Sequence, residues 1–338
     1  MTISGAGPDV NGLAASIRSG NRKTLARAIT LVESTRAPDR LPAERLLTAL
    51  LPSTGNAIRL GISGAPGAGK STFIEALGGH ITQGDRTLAV LAVDPTSSRS
   101  GGSILGDKTR MAGLARNPAV FIRPTPAGQT PGGVARRTRE AMLLTEAAGF
   151  NVVVVETVGV GQSEIAVAEM VDLFVLLVSP GGGDDLQGIK RGAMELADMV
   201  VITKADGDLA EAAARALADF RAALSLMRPK FTDMMPRILK VSAVTGAGIG
   251  ETWNALEELA QHLRSAGRLA RLREDQLRSW FWYEVRTVLV EAVSTNPAIG
   301  DQAARLEAAV AAGEALPDAA ARDLIRMLLG LDAMGGRP

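Results

Sequence analysis

The sequence predicts an α/β fold, a mostly parallel sheet flanked by helices, and three observations lead there. Short β-branched runs alternate with helical patterns from Ile58 onward, several runs are apolar on consecutive residues, and the first ends in a glycine-rich turn before an apolar helical stripe. A strand that is apolar on consecutive residues needs cover on both faces, which is the habit of parallel sheets.

The elements follow in order. Residues 1–55 form a helical extension: Leu13 and Ile17, then Leu25, Ile29 and Val32, then Leu46, Leu47 and Leu50 after Pro42, recur at helical spacing. Such short stripes need a partner surface, so the extension is expected to pack on the domain that follows. Residues 56–266 hold that domain. Its strands are expected at 58–63, 87–93, 120–123, 152–156, 173–178, 199–203 and 238–241, and its helices include 133–148, 187–196, 208–226 and 250–265. Beyond about Gly267 only helical periodicity remains, at 269–294, 302–312 and 317–331. In the first of these helices Phe281, Val285, Val288 and Ala292 form one apolar face, while Trp282, Leu289 and Val293 form a second. Two faces need two covers: one is the preceding domain, the other either a second copy of the chain or the last two helices. The region 267–338 is therefore read as a C-terminal helical appendage.

Composition narrows the function. With 37 Lys plus Arg against 36 Asp plus Glu there is no global field for nucleic acid or an anionic membrane. The chain has no cysteine and only two histidines, His80 and His262, so thiolate metal sites are excluded. No apolar run approaches a membrane span, and the N-terminus has neither a basic nor an apolar leader region, so a cytoplasmic protein is expected.

The chemistry concentrates in four stretches. Gly64, Ala65, Pro66, Gly67, Ala68, Gly69, Lys70 and Ser71, followed by Thr72, fit the spacing G-x-x-x-x-G-K-[ST] between a strand and a helix. Glycines let backbone N–H groups turn inward on phosphates, the helix presents its positive end, Lys70 reaches the β- and γ-phosphates, and Ser71 ligates Mg²⁺. This makes the fold class a P-loop NTPase. Asp94 ends the next strand, and Asp107 opens a later helical stretch; both are metal or water ligands, with a helix cap as the competing reading. Glu156 ends the run of four valines and is the acid expected beside Mg²⁺, with the Gly159 amide sensing the γ-phosphate; Gln162 is either a water-orienting group or a polar switch residue. Thr203, Lys204 and Asp206 close another apolar strand: an Asp carboxylate accepts from guanine N1–H and N2–H₂, and a Lys stem packs on the ring. Ser242, Ala243 and Val244, after the following strand, supply a base-contacting loop. Finally, residues 181–190 join three glycines to Asp184 and Asp185 and end in Lys190. They are either a loop leading into a capped helix or a moving element that reports nucleotide state.

Taken together, the P-loop, the segment from Asp94 through Asp107 to Met111, Glu156–Glu164 and the glycine-rich 181–190 resemble the MeaB/ArgK family of P-loop GTPases over nearly the whole chain. The resemblance implies a GTPase, using GTP/GDP and Mg²⁺, that acts as a chaperone of an adenosylcobalamin-dependent acyl-CoA mutase, typically methylmalonyl-CoA mutase. It would gate cofactor loading and protect the mutase. It also implies a homodimer joined through the C-terminal helices. By position, Gly64 to Thr72 would hold phosphates, Ser71, Asp94, Asp107 and Glu156 would surround metal and water, Lys204 and Asp206 would read guanine, and Lys190 would belong to a switch that meets the mutase. Thr203 departs from the Asn commonest in GTPases. The runner-up is a nucleotide-dependent kinase acting on an amino-acid transport system, for which the sequence offers no acceptor-activating base beyond the metal-site acids.

Overall fold

The computed structural model describes residues 9–94, 111–126, 131–157, 163–180, 191–227, 230–231 and 234–330. They form two compact units, Met1–Arg273 and Glu274–Pro338. The first is built on seven strands: β1 (Ile58–Gly64), β2 (Leu88–Asp94), β3 (Val120–Pro126), β4 (Val152–Thr157), β5 (Leu173–Val178), β6 (Met199–Ile202) and β7 (Arg237–Lys240). Their order in the sheet is β3-β2-β4-β1-β5-β6-β7, and every pairing is parallel.

Strand periodicity sorts the apolar residues between two cores. Leu60, Ile62, Val152, Val154, Val175 and Leu177 face Phe73, Ile74 and Leu77 of the helix Lys70–Ile81 and Trp253, Leu256 and Leu259 of Ile249–Ser265. Val153, Val155, Phe174 and Leu176 face the opposite way, where Ile17, Leu25, Ile29 and Leu46 of the three N-terminal helices join Met142 and Leu144 of Pro131–Ala147. The consecutive valines are explained by this double cover. β7 differs: as an edge strand it leaves Arg237 and Lys240 exposed.

The N-terminal helices Val10–Arg18, Arg22–Val32 and Ala37–Leu50 belong to the second of these cores. Asp9 and Asn21 cap the first two, accepting from Gly12 N and Thr24 N at 3.0 and 3.1 Å. The third begins at Ala37, five residues ahead of the expected Pro42, because Pro38 fits a first helical turn; Pro42 then lies inside the helix. Arg22 donates to Val120 O at 2.6 Å, and Arg123 of β3 pairs with Glu33, so these helices are also pinned to the sheet edge by charge. β3 itself runs three residues past its expected end. Its Pro124 and Pro126 are tolerated because β3 is an edge strand and their missing donors cost the sheet nothing.

The division between the units falls inside the helix Arg268–Thr295, and Arg273 explains why its first turn stays with the sheet. The Arg273 guanidinium donates to both oxygens of Asp172 at 2.8 and 2.7 Å and to Ala57 O at 2.7 Å, while Arg59 N donates to the same carboxylate at 2.9 Å. Beside it Arg59 forks onto Glu146 at 2.6 and 3.0 Å. Burial disfavours the charge on Arg273, but the hydrogen bond and charge of Asp172, with Glu146 behind it, outweigh burial and raise its pKa. In the second unit, Phe281 and Trp282 meet edge to face at 5.4 Å and stand 61% and 58% exposed, and Trp280 Nε1 donates to Glu284 at 2.9 Å. The helices Pro297–Ala311 and Pro317–Leu328 pack on each other.

Candidate nucleotide-binding site

The site grows from the C-terminal end of β1, the edge where ligands of open α/β sheets bind. Gly64 must be glycine: a Cβ there would lie 2.5 Å from Leu177 O of the neighbouring β5. Gly69 takes φ +84°, the left-handed turn that lets the chain enter the helix Lys70–Ile81 directly. Ala68 N donates to Ala65 O at 3.1 Å and closes the loop, whose Ala65, Pro66 and Gly67 are exposed. Lys70 Nζ donates to Gly64 O at 2.7 Å and Ala65 O at 3.1 Å, so the cation sits against the loop it is to serve. Burial lowers its pKa from the ordinary lysine value, against the opposing charges of Glu156 and Glu164.

β4 lies beside β1 with Glu156 opposite Ile62, which brings the Glu156 Oε1 within 3.1 Å of the Ser71 hydroxyl. Ala92 of β2 is opposite Glu156 on the other side, so the backbone of Asp94 ends two residues further along the same edge. Two of the four expected metal ligands therefore meet, and the backbone of a third arrives next to them. Asp107, Gly159, Gln162 and the whole of 181–190, Lys190 included, lie outside the described residues. Among the described residues no cluster of three or more His, Cys, Asp or Glu stands ready to hold a metal. A hydroxyl beside one buried carboxylate is nonetheless the donor set of a Mg²⁺ ion that takes its remaining ligands from water and phosphate.

The loop after β6 is tied to the P-loop by Thr203. Its hydroxyl lies 2.7 Å from Ala68 O and 3.1 Å from Val178 O, both acceptors, and its own N–H donates to Val178 O at 2.7 Å. A short hydroxyl thus makes the cross-link for which the departure from Asn left room. Lys204 has φ +53°, the only non-glycine in the left-handed region among the described residues. A non-glycine residue held there stores on the order of 1 kcal/mol and recurs at ligand sites. The twist carries Lys204 over the P-loop, where its Cε lies 4.0 Å from the position of a Cβ on Gly69. Ala205 N donates to Val241 O at 3.0 Å, bringing the loop after β7 alongside; there Ser242 Oγ accepts from Thr245 N at 3.1 Å, Ala243 follows, and Val244 is 82% exposed. Asp206 is half-buried on the same loop as Lys204.

Three polar residues had no role assigned from the sequence. Thr157 Oγ1 donates to Ser63 Oγ at 2.8 Å, and Ser63 Oγ donates to Glu164 Oε1 at 3.3 Å, all three buried. The signals were present: a serine ending an apolar strand, and an acid just inside the helix Ser163–Ala168 after a glycine-rich run. Only the fold reveals that they touch.

Comparison with known proteins fits this geometry. The family model described as "Methylmalonyl Co-A mutase-associated GTPase MeaB" matches residues 25–298. The GTPase ArgK of Escherichia coli is 51% identical over 264 residues, 78% of this chain and 80% of that protein. The mouse protein named "Methylmalonic aciduria type A homolog, mitochondrial" is 46% identical over 327 residues, 94% of this chain and 79% of its own length. A solved structure described as a LAO/AO transport system kinase superposes with a TM-score of 0.76 at 38% identity, covering 97% of this chain and all of the other. These matches extend over most of the chain: it belongs to the MeaB family of P-loop GTPases, binds guanine nucleotide and hydrolyses GTP.

Proposed function

We propose that this GTPase is a chaperone of an adenosylcobalamin-dependent acyl-CoA mutase, most simply methylmalonyl-CoA mutase, and that its nucleotide cycle gates cofactor loading and protects the mutase. The observation that carries the reading is the match of residues 25–298 to a family described by its association with that mutase, with the mouse relative's name in accord. A transport-system kinase, the description carried by the solved relative, is the less favoured alternative, since the relative named ArgK is described as a GTPase.

In this reading Gly64 to Thr72 hold the phosphates. Lys70 leaves the carbonyls of Gly64 and Ala65 for the β- and γ-oxygens, where its compact charge offsets the charge that develops in transfer. Ser71 and Glu156, with Asp94 and Asp107, hold Mg²⁺, which when bound supplies further neutralisation of the phosphate oxygens. Gly159 senses the γ-phosphate. Thr203, Lys204 and Asp206 read the base with Ser242, Ala243 and Val244, and Lys190 belongs to the element that answers the mutase. The exposed aromatic helix around Phe281 and Trp282 suits a homodimer interface. Among the described residues no helix is long and apolar enough to cross a membrane, and a cytoplasmic setting is part of the proposal.

Two measurements test it. Asp206→Asn should weaken GDP binding by about tenfold or more, ~1.4 kcal/mol, and improve binding of xanthosine diphosphate, because the carboxamide donates where that purine accepts. Calorimetry with GDP, ADP and the xanthine analogue reads this, and unchanged GDP affinity would remove Asp206 from the base site. For the partner, the purified mutase should lose activity more slowly during turnover when this protein and GTP are present. Linkage requires that GTP change mutase affinity by the factor by which the mutase changes GTP affinity. A mutase that inactivates at the same rate with and without the protein contradicts the chaperone reading.

A further inference from the structure

Ser63 and Thr157 have no role in the site described so far and Glu164 has entered it only as a charge near Lys70, yet the three form one connected polar unit. Ser63 and Thr157 are 0% and 1% exposed, and both lie on the sheet face opposite the helix Lys70–Ile81. A hydroxyl has one proton to donate and two lone pairs to accept with. Ser63 uses both abilities, accepting from Thr157 at 2.8 Å and donating to Glu164 at 3.3 Å. The chain of donors has one direction, ending on a carboxylate. The helix that carries Glu164 is seated independently by packing: a Cβ on Gly61 would come within 2.9 Å of Val167, so that helix rests directly on the backbone of β1.

Sequence adjacency gives the unit its consequence. Thr157 follows Glu156 in β4, and side chains alternate along a strand, so holding Thr157 on one face fixes Glu156 on the other, towards Ser71. Ser63 precedes Gly64, whose carbonyl holds Lys70. One buried hydroxyl therefore registers β4 against β1 at the level where acid, cation and metal-binding serine must be spaced.

We propose that Ser63 is a positioning residue for GTP hydrolysis, with Thr157 and Glu164 as its two partners: the unit sets the distance of Glu156 from Lys70 and Ser71 without touching nucleotide. A buried pair that loses one member leaves the other unsatisfied and free to re-aim. Binding depends mostly on the loop backbone and tolerates such a shift, whereas turnover needs the groups aligned and does not. The proposal rests on GTP hydrolysis and not on the mutase reading, so the variants are assayed without mutase; loss of the mutase reading leaves these rates untouched.

The test compares full-length Ser63→Ala, Thr157→Val, Glu164→Ala and Glu164→Gln for kcat, KM, GDP affinity and melting temperature. The first three should lower kcat about tenfold or more while KM and GDP affinity stay within about threefold. Glu164→Gln keeps an oxygen that accepts from Ser63 and should recover kcat to within about threefold of the parent. Ser63→Ala combined with Glu164→Ala should be no slower than the worse single variant, as for residues acting as a unit. Folded variants that keep parental kcat overturn the proposal. So does a loss of GDP affinity equal to the loss of kcat, which would make the unit a support of binding. Should Ser63→Ala fail to fold, the contrast at Glu164 decides alone: equal rates for the Ala and Gln variants overturn the proposal, and rescue by Gln upholds it.

Discussion

Lys70→Ala is expected to lower GTP hydrolysis by about a hundredfold or more, at least ~2.7 kcal/mol of transition-state stabilisation. The ammonium lies 2.7 Å from Gly64 O, on the loop that surrounds the phosphates, and burial has already stripped part of its water, as its lowered pKa records. A cation prepared in this way loses little further hydration when phosphate oxygens replace the two carbonyls. Its attraction therefore goes largely into the charge that grows during transfer. Lys70→Arg should recover little, because a planar fork does not fit the place of a compact point charge. Phosphate release under saturating GTP is the measurement, with Phe73 and Leu77 keeping the helix seated in both variants. Turnover within tenfold of the parent would move the main electrostatic role to another group.

Arg273→Leu is expected to destabilise the first unit by about 3–5 kcal/mol, the usual cost of removing one member of a buried ion pair. Asp172 is only 1% exposed and receives two of its hydrogen bonds from that guanidinium, while Ala57 O loses its donor in the same stroke. Adding Asp172→Asn should restore part of the loss, since the orphaned charge is then gone while the amide oxygen still accepts from Arg59 N. Urea denaturation followed by circular dichroism reads both variants. A loss below about 1 kcal/mol would mean that the carboxylate finds water or another donor once the guanidinium is removed.

The legible part of the fold was that in which a short stretch dictates its own conformation. β5 falls at 173–178 because six consecutive apolar residues bounded by Asp172 and Ser179 allow only a strand covered on both sides, and the P-loop falls where glycine spacing requires it. Pairings across the sheet left no such trace. Arg273 and Asp172 are 101 residues apart, Thr157 and Ser63 are 94, and no local pattern in either stretch announces its partner. Thr203 stands between these cases. Its position after an apolar strand was readable, but the reason a threonine serves there, a hydroxyl short enough to meet Ala68 O, required both loops to be in place.

The central position of β1 also governs when the site comes into being during synthesis. Ile58 pairs with Val152 and Leu60 with Leu173, so the strand that carries the P-loop leaves the ribosome long before either neighbour exists. Until β4 emerges it is an apolar ribbon with two open edges, and until β5 emerges it keeps one, a species prone to wrong pairing. A chain truncated before Leu173 would contain every P-loop residue and still lack the wall, Leu177, against which Gly64 is fitted. Nucleotide capture is therefore a late event in the life of the nascent chain, and a nascent-chain series pulled down on immobilised GDP should stay silent until residues beyond β5 have cleared the exit tunnel.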